Sequence, residues 1–499
     1  MTLNGQSYIA GVWQHNQHSE IFNGFCPGTN ESLPSIFYEA TLEQVNQATA
    51  SAELAFKAYR RVSEHQRARF LNTIADEIAA LGDVLIETTM LETNLPRQRL
   101  EGERLRSINQ LRAFADVLLQ ELEPLQLKCV DDSDETRLPI AKPRTALTHI
   151  PIGVVAVFGA SNFPYAFSTL GGDTAAALAA GCPVIVKAHP AHPATNELMT
   201  KAIDGAIKQC GIPNGVFSML QGRQHQLSHQ LVRAPSVKAV GFTGSLSAAT
   251  ALLKTINDRK EPIPLYGELG SVNPQIVLKG QDVPQKVALA KQLVNSMSMG
   301  HGQFCTSPGV WFVPAEDIDF ESSAVNAIES APSDTLLTPG ILHAFIKRTD
   351  ALFKDPNTTL LAKGKLSKQY HAAVQLYTCS ADDFAQSKQL QEEVFGPCAI
   401  LVKYQDEAAL MRAISALDGQ LTASVYGKID DFHIQEELIE SLQYKVGRLI
   451  YNQAPTGVEV CMSMNHGGPF PSSTDVKSTS VGTRAILRFL RPLCVQGDI

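Results

Sequence analysis

The feature that most constrains the fold is a regular alternation of apolar strands and helices between residues 150 and 262. IGVVAVFGA and PVIVKAHP are continuous apolar runs, and the small-residue helix TAAALAAG lies between them. VFSMLQG and VKAVGFTGS follow as further strands. Short apolar runs that alternate with helices predict a parallel sheet covered on both faces, and dinucleotides bind at the carboxyl ends of such strands. The sequence therefore predicts an α/β protein with a ligand-binding sheet edge.

A second alternating unit begins after residue 262. NPQIVLKG predicts a strand, residues 285–300 predict a helix, and the unit extends to about residue 450. Residues 40–125 have apolar side chains at helical spacing, whereas residues 129–145 are polar and typical of a connection or an exposed hairpin. The tail SVGTRAILRFLRPLCVQ alternates, which predicts a terminal strand that pairs with a partner subunit.

Composition excludes several classes of protein. The 499 residues include 42 basic and 50 acidic ones, a formal charge of -8, and no basic run favours nucleic-acid binding. Nine cysteines form no CxxC pair, which predicts neither a zinc site nor a disulfide framework and indicates a reducing compartment. The start MTLNGQSYIAGVWQ does not resemble a signal peptide, and no apolar run has membrane-spanning length. We expect a cytoplasmic protein with no metal, membrane or nucleic-acid partner.

Cys305 is the candidate nucleophile, in the segment SMGHGQFCTSPG. It follows a predicted helix and two glycines, and the small residues Thr306, Ser307 and Gly309 leave its sulfur accessible. A thiolate is a strong nucleophile once its pKa is lowered or a base is near. A lone cysteine is more often a buried structural residue, and this segment by itself favours that alternative.

Two other segments carry groups suited to catalysis. Glu268, in PLYGELGSVNP, lies between glycines and apolar residues, and partial burial would raise its pKa and suit it to general base work. The alternative is a strand-end carboxylate in a salt bridge. Asn162, in GASNFPYAF, follows a buried strand, and its amide could donate to an oxyanion. The alternative is a turn asparagine before Pro164.

Three segments at predicted strand ends suit a dinucleotide. Lys187 ends PVIVKAHP, where lysine often meets phosphate or ribose, unless it only snorkels to solvent. GFTGS at 241–245 joins a strand to a helix and could cradle an anion, although two glycines after a strand are a weak motif alone. In EEVFGP, Glu393 could bind ribose hydroxyls and Phe395 could support a flat ring, or the two are a loop acid and a core phenylalanine.

Taken in order, IPIGVVAVFGASNFP, IVKAHP, GFTGS, GELGSVNP, GQFCTSPG and EEVFGP resemble the aldehyde dehydrogenase superfamily over nearly the whole chain. The resemblance implies the aldehyde dehydrogenase fold, with a Rossmann-like cofactor domain, an α/β catalytic domain and a small oligomerisation element that forms dimers or tetramers. The expected boundaries are 1–128 with 146–262 for the cofactor domain, 263–465 for the catalytic domain, and 129–145 with 466–499 for the oligomerisation element.

The resemblance also implies a role for each residue. Cys305 attacks the aldehyde to form a thiohemiacetal, and Asn162 and the Cys305 backbone N–H stabilise its oxyanion. Hydride then passes to the nicotinamide and leaves a thioester, which a water activated by Glu268 hydrolyses. The matching cofactor-binding positions are Lys187, Gly241, Gly244, Ser245, Glu393 and Phe395.

Two departures from the family's pattern concern the cofactor. NAD-preferring members often carry a glutamate three residues after the lysine, where this chain has Pro190, so a 2′-phosphate is not repelled. Arg223, in MLQGRQ, could pair with that phosphate. We therefore expect NADP, with NAD also possible. A further glycine that usually follows GFTGS is replaced by the small residue Ala249.

The predicted substrate depends on a narrower resemblance. GASNFPYAFSTLGGDTAAALAAGCPVIVKAHPAHP and PTGVEVCMSMNHGGPFP are similar to α-ketoglutaric semialdehyde dehydrogenases and to a related NADP-dependent fatty aldehyde dehydrogenase. A semialdehyde needs a cation for its distant carboxylate, and Arg104, Arg106 and Arg112 are candidates unless they only form a solvated helix face. A fatty aldehyde needs an apolar tunnel. The remaining alternative, an inactive relative that kept the fold, is disfavoured because nucleophile, base and oxyanion donor are all present.

Overall fold

The structure is a computed structural model that describes residues 3–497. Several helices begin at a side chain that caps the first turn, and Thr41 and Ser63 each form a capping box with a glutamine three residues later. In the described residues the α-helices are Leu42–Tyr59, Glu64–Ala80, Gly82–Thr93, Arg97–Leu119, Gly172–Ala180, Pro193–Cys210, His225–Arg233, Leu246–Asn257, Val283–Ser298, Ile318–Glu329, Pro339–Lys354, Ala381–Gln386, Glu407–Ala416, Ile429–Ile434 and Glu436–Gln443.

The first large sheet contains the predicted strand–helix alternation. Its order is Leu265–Glu268, Val237–Thr243, Val154–Phe158, Val184–Lys187, Phe217–Leu220, Ser7–Ile9 and Val12–Gln14. The first five strands are parallel, and the last two form an antiparallel hairpin at the edge. Phe158 is in register with both Lys187 and Phe242. The segments that follow these strands therefore emerge side by side at one edge of the sheet.

The second large sheet belongs to the predicted catalytic domain. Its order is Thr359–Lys363, Gln375–Ser380, Cys398–Tyr404, Val310–Pro314, Gln275–Val277, Gln420–Tyr426 and Val446–Tyr451, parallel except for the first strand. Two small antiparallel pairs are Ile21–Cys26 with Glu31–Tyr38 and Asp334–Thr335 with His371–Ala372. Separate apolar clusters cover the faces of each large sheet, which accounts for the near-continuous apolar strands in the sequence.

A third sheet of three strands lies apart from the two cores. Leu490–Gln496 pairs with Thr145–Pro151, which pairs in turn with the exposed strand Cys129–Asp131. The described part of the chain therefore places the predicted hairpin and the predicted C-terminal strand in one sheet, and their role in oligomerisation stays a prediction. The sheet also includes residues 145–151, part of which the sequence had assigned to the cofactor domain.

The structure changes two predicted boundaries. Strand Leu265–Glu268 pairs with Val237–Thr243, so the first sheet extends past residue 262. Residues Thr483–Phe489 form a 3₁₀ helix rather than a strand, because Ile486 and Phe489 are spaced three apart and both lie in the core of the first domain. The tail therefore belongs to the three-stranded sheet only from residue 490 onwards.

The region 40–125, whose spacing predicts helices, contains four α-helices. Helices Glu64–Ala80 and Gly82–Thr93 are separate because the chain turns at Gly82, whose φ is +55°. Among residues 3–497, no helix is both long enough and apolar enough to cross a membrane.

Candidate active site

Segments from both large sheets meet at the carboxyl edge of the first sheet. Asn162 follows one strand of this sheet, Lys187 and Glu268 end two others, and Ser245 follows a fourth. Cys305 approaches the same edge from the second domain and lines one cavity together with Asn162 and Glu268. The three residues that the sequence predicted to act in catalysis are therefore brought together.

Cys305 is held by a tight turn and by an asparagine. Residues 300–302 have φ values of 56°, 53° and 73°. A Cβ on Gly302 would lie 2.1 Å from the carbonyl carbon of Gly396, so only glycine fits at this position. The Asn273 amide nitrogen donates to the Cys305 carbonyl at 2.8 Å and fixes the loop from its other side. The turn that carries the nucleophile thus touches the EEVFGP loop.

The Cys305 thiol lies against a histidine that the sequence analysis did not identify. The Sγ atom is 3.4 Å from Nε2 of His466, and the same Nε2 is 2.7 Å from Oε1 of Glu268. His466 and Glu268 are buried, with exposed fractions of 1% and 4%. Two acceptors would repel each other at 2.7 Å, so a proton lies between Nε2 and the carboxylate. One imidazole N–H therefore faces both the sulfur and the carboxylate.

Ser480 completes the set of groups around Glu268. Its hydroxyl donates to Oε2 of Glu268 at 2.5 Å, while its backbone N–H donates to the His466 carbonyl at 2.8 Å. The His466 backbone N–H donates to the Thr479 hydroxyl at 2.9 Å. The segment 479–480 thus positions the imidazole and the carboxylate together. Ser480 is the first residue of the tail for which the sequence predicted only a terminal strand, so its contact with Glu268 was not predicted.

The cluster separates the pKa values of its two acids. Burial would raise the pKa of Glu268, but the charge and hydrogen bond of His466 and the hydrogen bonds of Ser480 and Cys305 hold that pKa below its usual value. Burial and the nearby Glu268 charge raise the pKa of Cys305 well above its usual range. Glu268 is therefore ionised at neutral pH, while the resting thiol is protonated. The predicted rise in the Glu268 pKa was wrong in direction, because burial is outweighed by hydrogen bonds to the carboxylate.

Asn162 is tied to the turn that carries the nucleophile. Its amide nitrogen donates to the Gln303 carbonyl at 2.9 Å, which leaves a second N–H on the same nitrogen. Arg99 donates to the Asn162 carbonyl at 2.6 Å, and its guanidinium lies over the Phe163 and Phe304 rings at 5.0 Å and 4.9 Å. Arg99 therefore fixes the Asn162 loop against the Cys305 loop.

A cavity of about 670 Å³ opens from Cys305 along the ends of the strands of the first sheet. Thr243, Gly244 and Ser245 line it where the helix Leu246–Asn257 begins, and the Ser245 hydroxyl caps that helix by accepting from the Ala248 N–H at 3.3 Å. A helix N-terminus at the end of a parallel strand is a favourable place for a phosphate. The predicted anion cradle is therefore present in the geometry.

Glu393 and Phe395 line the same cavity on the side of the second domain. Burial raises the pKa of Glu393 to about 7, against the opposing effect of the Ser271 backbone N–H. A Cβ at residue 270 would lie 2.5 Å from Oε2 of Glu393, so Gly270 leaves room for this carboxylate at the cavity wall. Both predicted residues of the EEVFGP loop thus face the cavity that contains the nucleophile.

Other predicted cofactor residues lie beside the cavity rather than in its wall. Lys187 is buried at its strand end, and burial lowers its pKa to about 8, opposed by the Glu39 carboxylate. A Cβ on Gly241 would lie 2.8 Å from Asp173, so that glycine makes room for a helix. The Arg223 guanidinium lies over the Phe22 ring at 5.2 Å. The sequence analysis missed His189 and His225, which do line the cavity.

The three candidate arginines of helix Arg97–Leu119 have different surroundings. Arg104 donates to the Gly82 carbonyl at 2.9 Å, and Arg112 forms an exposed ion pair with Asp76 at 3.0 Å. Arg106 points inwards, where its guanidinium lies over the Phe167 ring at 5.3 Å. The helix thus has both solvated arginines and one that faces the interior.

The catalytic cluster also has the composition of a metal site. Among the described residues, one group of three possible metal ligands was found, and it consists of Glu268, Cys305 and His466, whose ligand atoms lie within 4.8 Å of one another. These atoms already satisfy one another by hydrogen bonding. The absence of a resident metal stays a prediction.

Comparison with known proteins identifies the kind of chain that carries this site. The model of the aldehyde dehydrogenase family matches residues 13–490. An α-ketoglutaric semialdehyde dehydrogenase 2 of Azospirillum brasilense is 43% identical over 500 residues, which covers 99% of this chain and 95% of the relative. An α-ketoglutaric semialdehyde dehydrogenase of Acinetobacter baylyi is 42% identical over 469 residues, which covers 92% of this chain and 88% of the relative.

A solved structure supports the same fold. The NADP-dependent glyceraldehyde-3-phosphate dehydrogenase of Bacillus halodurans, complexed with NADP, superposes with a TM-score of 0.84 at 22% sequence identity. The match covers 99% of both chains. At this identity the similarity concerns the fold, an α/β arrangement of two large sheets.

Proposed function

The chain belongs to the aldehyde dehydrogenase family, whose members oxidise aldehydes with NAD(P), and from this membership we propose that its substrate is α-ketoglutaric semialdehyde. The product is then 2-oxoglutarate. The observation that carries the chemistry is the contact of one imidazole nitrogen with both the Cys305 sulfur and the Glu268 carboxylate. The substrate is supported by the two curated relatives, which are more than 40% identical over at least 88% of their length.

The first step of the proposed reaction is the ionisation of Cys305. The thiol proton passes to the Glu268 carboxylate, to which the thiol is hydrogen-bonded, and from there to solvent. His466 favours the thiolate because its N–H lies 3.4 Å from the sulfur. Without this donor, a buried thiolate next to a carboxylate would be strongly disfavoured.

The thiolate then attacks the aldehyde carbon, and the carbonyl oxygen becomes an oxyanion. We assign its stabilisation to the second N–H of the Asn162 amide and to the Cys305 backbone N–H. Asn162 suits this role because Gln303 and Arg99 restrain it on both sides, so it does not reorganise when charge develops. A nicotinamide bound in this cavity would supply the hydride acceptor. Loss of hydride from the thiohemiacetal carbon leaves a thioester on Cys305.

Hydrolysis of the thioester is assigned to Glu268. The carboxylate is ionised at neutral pH because His466 and Ser480 hold its pKa down, so it can accept a proton from water. The water attacks the thioester carbon, the C–S bond breaks, and the acid leaves. Glu268 and Cys305 line the same cavity. A water that attacks the thioester on Cys305 can therefore also lie beside the Glu268 carboxylate.

The residues of the cavity fit a dinucleotide. Ser245 and Gly244 would hold the pyrophosphate at the helix N-terminus, and Glu393 would bind one ribose. Lys187, buried beside the cavity at its strand end, would bind the other ribose. Phe395 would lie near the nicotinamide. The room that Gly270 leaves for Glu393, and a volume of about 670 Å³, support this assignment.

NADP is our proposed preference. Pro190 places no carboxylate where a 2′-phosphate would lie, and the exposed Arg223 lies two residues before His225 of the cavity wall. The placement of Arg223 over Phe22 means that it has to leave this ring to meet the phosphate. NAD use alongside NADP is compatible with the same residues.

We also propose a homodimer or homotetramer that forms through the exposed three-stranded sheet. All three residues of edge strand Cys129–Asp131 are exposed, which suits pairing with a second copy. Nine free cysteines are compatible with the reducing conditions of the cytoplasm.

A panel of aldehydes assayed with NAD and with NADP tests the proposed substrate and cofactor. We expect the highest kcat/KM for α-ketoglutaric semialdehyde with NADP. Higher values for long aliphatic aldehydes would favour the fatty aldehyde alternative, and a strong preference for NAD would refute the interpretation of Pro190 and Arg223. Failure to oxidise any aldehyde would indicate an inactive relative.

A further inference from the structure

Arg106 lies in an unusual environment and does not line the cavity that contains Cys305. Its guanidinium lies over the Phe167 ring at 5.3 Å, and this ring is 6.3 Å from the imidazole of His466. Phe167 therefore lies between Arg106 and the catalytic histidine. The arrangement is a short path from a fixed cation, across an apolar ring, to the group that contacts the nucleophile.

The guanidinium of Arg106 is incompletely satisfied. One terminal nitrogen donates to the Val458 carbonyl at 3.4 Å, a long contact. The other terminal nitrogen, Nη1, is shielded from solvent and has no hydrogen-bond partner in the described part of the chain. A buried charged donor without an acceptor is costly. An acceptor that arrives with the substrate would remove this cost.

The electrostatics connect Arg106 to the catalytic groups. Burial lowers the pKa of Arg106, and the negative charges of Glu103, Cys305 and Glu268 oppose that effect. Glu103 is engaged elsewhere, because its Oε1 accepts from the backbone N–H groups of Tyr165 and Ala166. The positive charge of Arg106 therefore acts on the Cys305 sulfur and is not neutralised by a direct ion pair with Glu103.

A second arginine borders the same loop. Arg448 donates to the Pro455 carbonyl at 2.6 Å and to the Gly457 carbonyl at 3.1 Å, while its buried Nε atom has no partner among the described residues. Burial lowers the pKa of Arg448, and Cys305 opposes that effect. Residues 455–458 are therefore held between two arginines, both within electrostatic range of the nucleophile.

We propose that Arg106, supported by Arg448, binds the carboxylate at the far end of the aldehyde substrate. This inference rests on the proposed function and deepens it, because it assigns the anion site that a semialdehyde requires. The Arg106 Nη1 atom would donate to a carboxylate oxygen of the substrate. Phe167 would contact the methylene carbons, and the aldehyde would reach Cys305 beside His466. A fatty aldehyde would instead place apolar carbon against an unpaired charged donor.

The inference separates Arg106 from the other arginines of its helix. Arg99 is committed to Asn162 and to two aromatic rings, and Arg104 to the Gly82 carbonyl. Arg112 is paired with Asp76 at the surface, so it is a matched control of the same residue type on the same helix.

The test compares Arg106→Met with Arg112→Met on two substrates of the same chain length, α-ketoglutaric semialdehyde and pentanal. Loss of one charged hydrogen bond should lower kcat/KM for the semialdehyde by about 10- to 100-fold, mainly through KM. The value for pentanal should fall much less, because pentanal has no carboxylate for Arg106 to bind and loses only the charge that Arg106 exerts on Cys305. Arg106→Lys should restore part of the loss, and Arg112→Met should leave both substrates unchanged.

The two proposals are read from different quantities. The ratio of the two substrates in the wild type tests the substrate, whereas the change of this ratio in Arg106→Met tests the anion site. If the wild type prefers pentanal but the ratio of kcat/KM for the semialdehyde to that for pentanal still falls in Arg106→Met, the proposed substrate is refuted. The proposed anion site is then supported. An unchanged ratio, or an equal loss on both substrates, would overturn the role of Arg106 whichever aldehyde the wild type prefers.

Discussion

The two sides of Cys305 are built differently. On the cofactor side, the cavity wall consists of segments that follow regular strands, such as Thr243 to Ser245. The groups around Cys305 that do not line this cavity, called the opposite side below, come from irregular segments after residue 451, which supply His466 and Ser480, and from a long helix, which supplies Arg106. The nucleophile lies between a side fixed by sheet topology and a side fixed by side-chain contacts.

This difference separates two sources of function. The edge of a parallel sheet provides a dinucleotide site in many proteins, so the cofactor side says little about the particular reaction. We infer that the contacts of His466 and Ser480 affect how the sulfur ionises, and we propose that Arg106 selects the aldehyde that reaches it. Variants on the two sides should therefore change different kinetic parameters.

The largest expected effect is at the residue that both sides share. Cys305→Ala should lower kcat by about 10⁴-fold or more, because among the described residues Cys305 supplies the one thiol that lines the cavity. Binding of NADP should persist, as measured by calorimetry, since the cofactor side is intact. Cys210→Ala is the control and should keep full activity. Cys210 is half-buried, and its thiol donates a hydrogen bond to the Thr73 hydroxyl. Substantial oxidation by Cys305→Ala would remove Cys305 as the nucleophile.

Glu268→Gln should lower steady-state turnover by about 100- to 1,000-fold, because no base activates the water. The burst of reduced cofactor in the first turnover should survive, since removal of the Glu268 charge lowers the pKa of Cys305 and eases ionisation of the thiol to solvent. Stopped-flow absorbance of the reduced nicotinamide measures both phases. A burst that disappears together with turnover would contradict the separation of the two half-reactions.

His466→Phe should slow both the burst and turnover by about 10- to 100-fold, because the thiolate loses its donor. The variant also removes the main opposition to burial at Glu268, so the pKa of Glu268 rises. Activity needs the ionised carboxylate and falls as pH drops through this pKa, so the acid limb of the kcat profile should move to higher pH. His466→Gln, which can still donate a hydrogen bond, should shift the limb less. An unmoved limb in His466→Phe would show that the imidazole does not tune Glu268.

The smallest expected effect lies on the cofactor side. Glu393→Gln should raise the KM for NADP by about 3- to 10-fold, because an amide is a weaker acceptor for ribose hydroxyls. The wild-type KM for NADP should rise as pH falls through about 7, where Glu393 becomes protonated, and this pH dependence should be absent in the variant. Initial rates across pH at saturating aldehyde measure both. A reduced burst amplitude with an unchanged KM for NADP would indicate that Glu393 affects Cys305 rather than cofactor binding.

The cofactor side was also the easier side to predict from the sequence. Its residues occur in short motifs at strand ends, and parallel register brings such ends together, so GFTGS and GASNFPYAF could be placed before the structure was known. Arg223 was harder, since the direction of a long exposed side chain depends on neighbours such as Phe22 that lie far away in sequence.

The opposite side could not be predicted by the same reasoning. His466 lies 198 positions after Glu268, in a segment without regular periodicity, so neither spacing nor alternation connects the two. The one available signal was a histidine next to two glycines in MNHGGPFP. The direction of the Glu268 pKa shift failed for the same reason, because the burial of Glu268 could be inferred locally but its three hydrogen-bond partners could not. Arg106 could be named but not distinguished from Arg104 and Arg112, since helical spacing does not reveal which turn meets Phe167.

The contacts of Ser480 and His466 have a consequence for the order in which the enzyme becomes active during synthesis. The ribosome produces Asn162, Glu268 and Cys305 long before it reaches the segment that holds the carboxylate and the imidazole together. The core of the first domain includes Ile486 and Phe489, so this domain too completes its packing only after that segment has been made. A nascent chain that has not yet reached residue 466 would therefore hold Cys305 without the imidazole N–H that favours its thiolate.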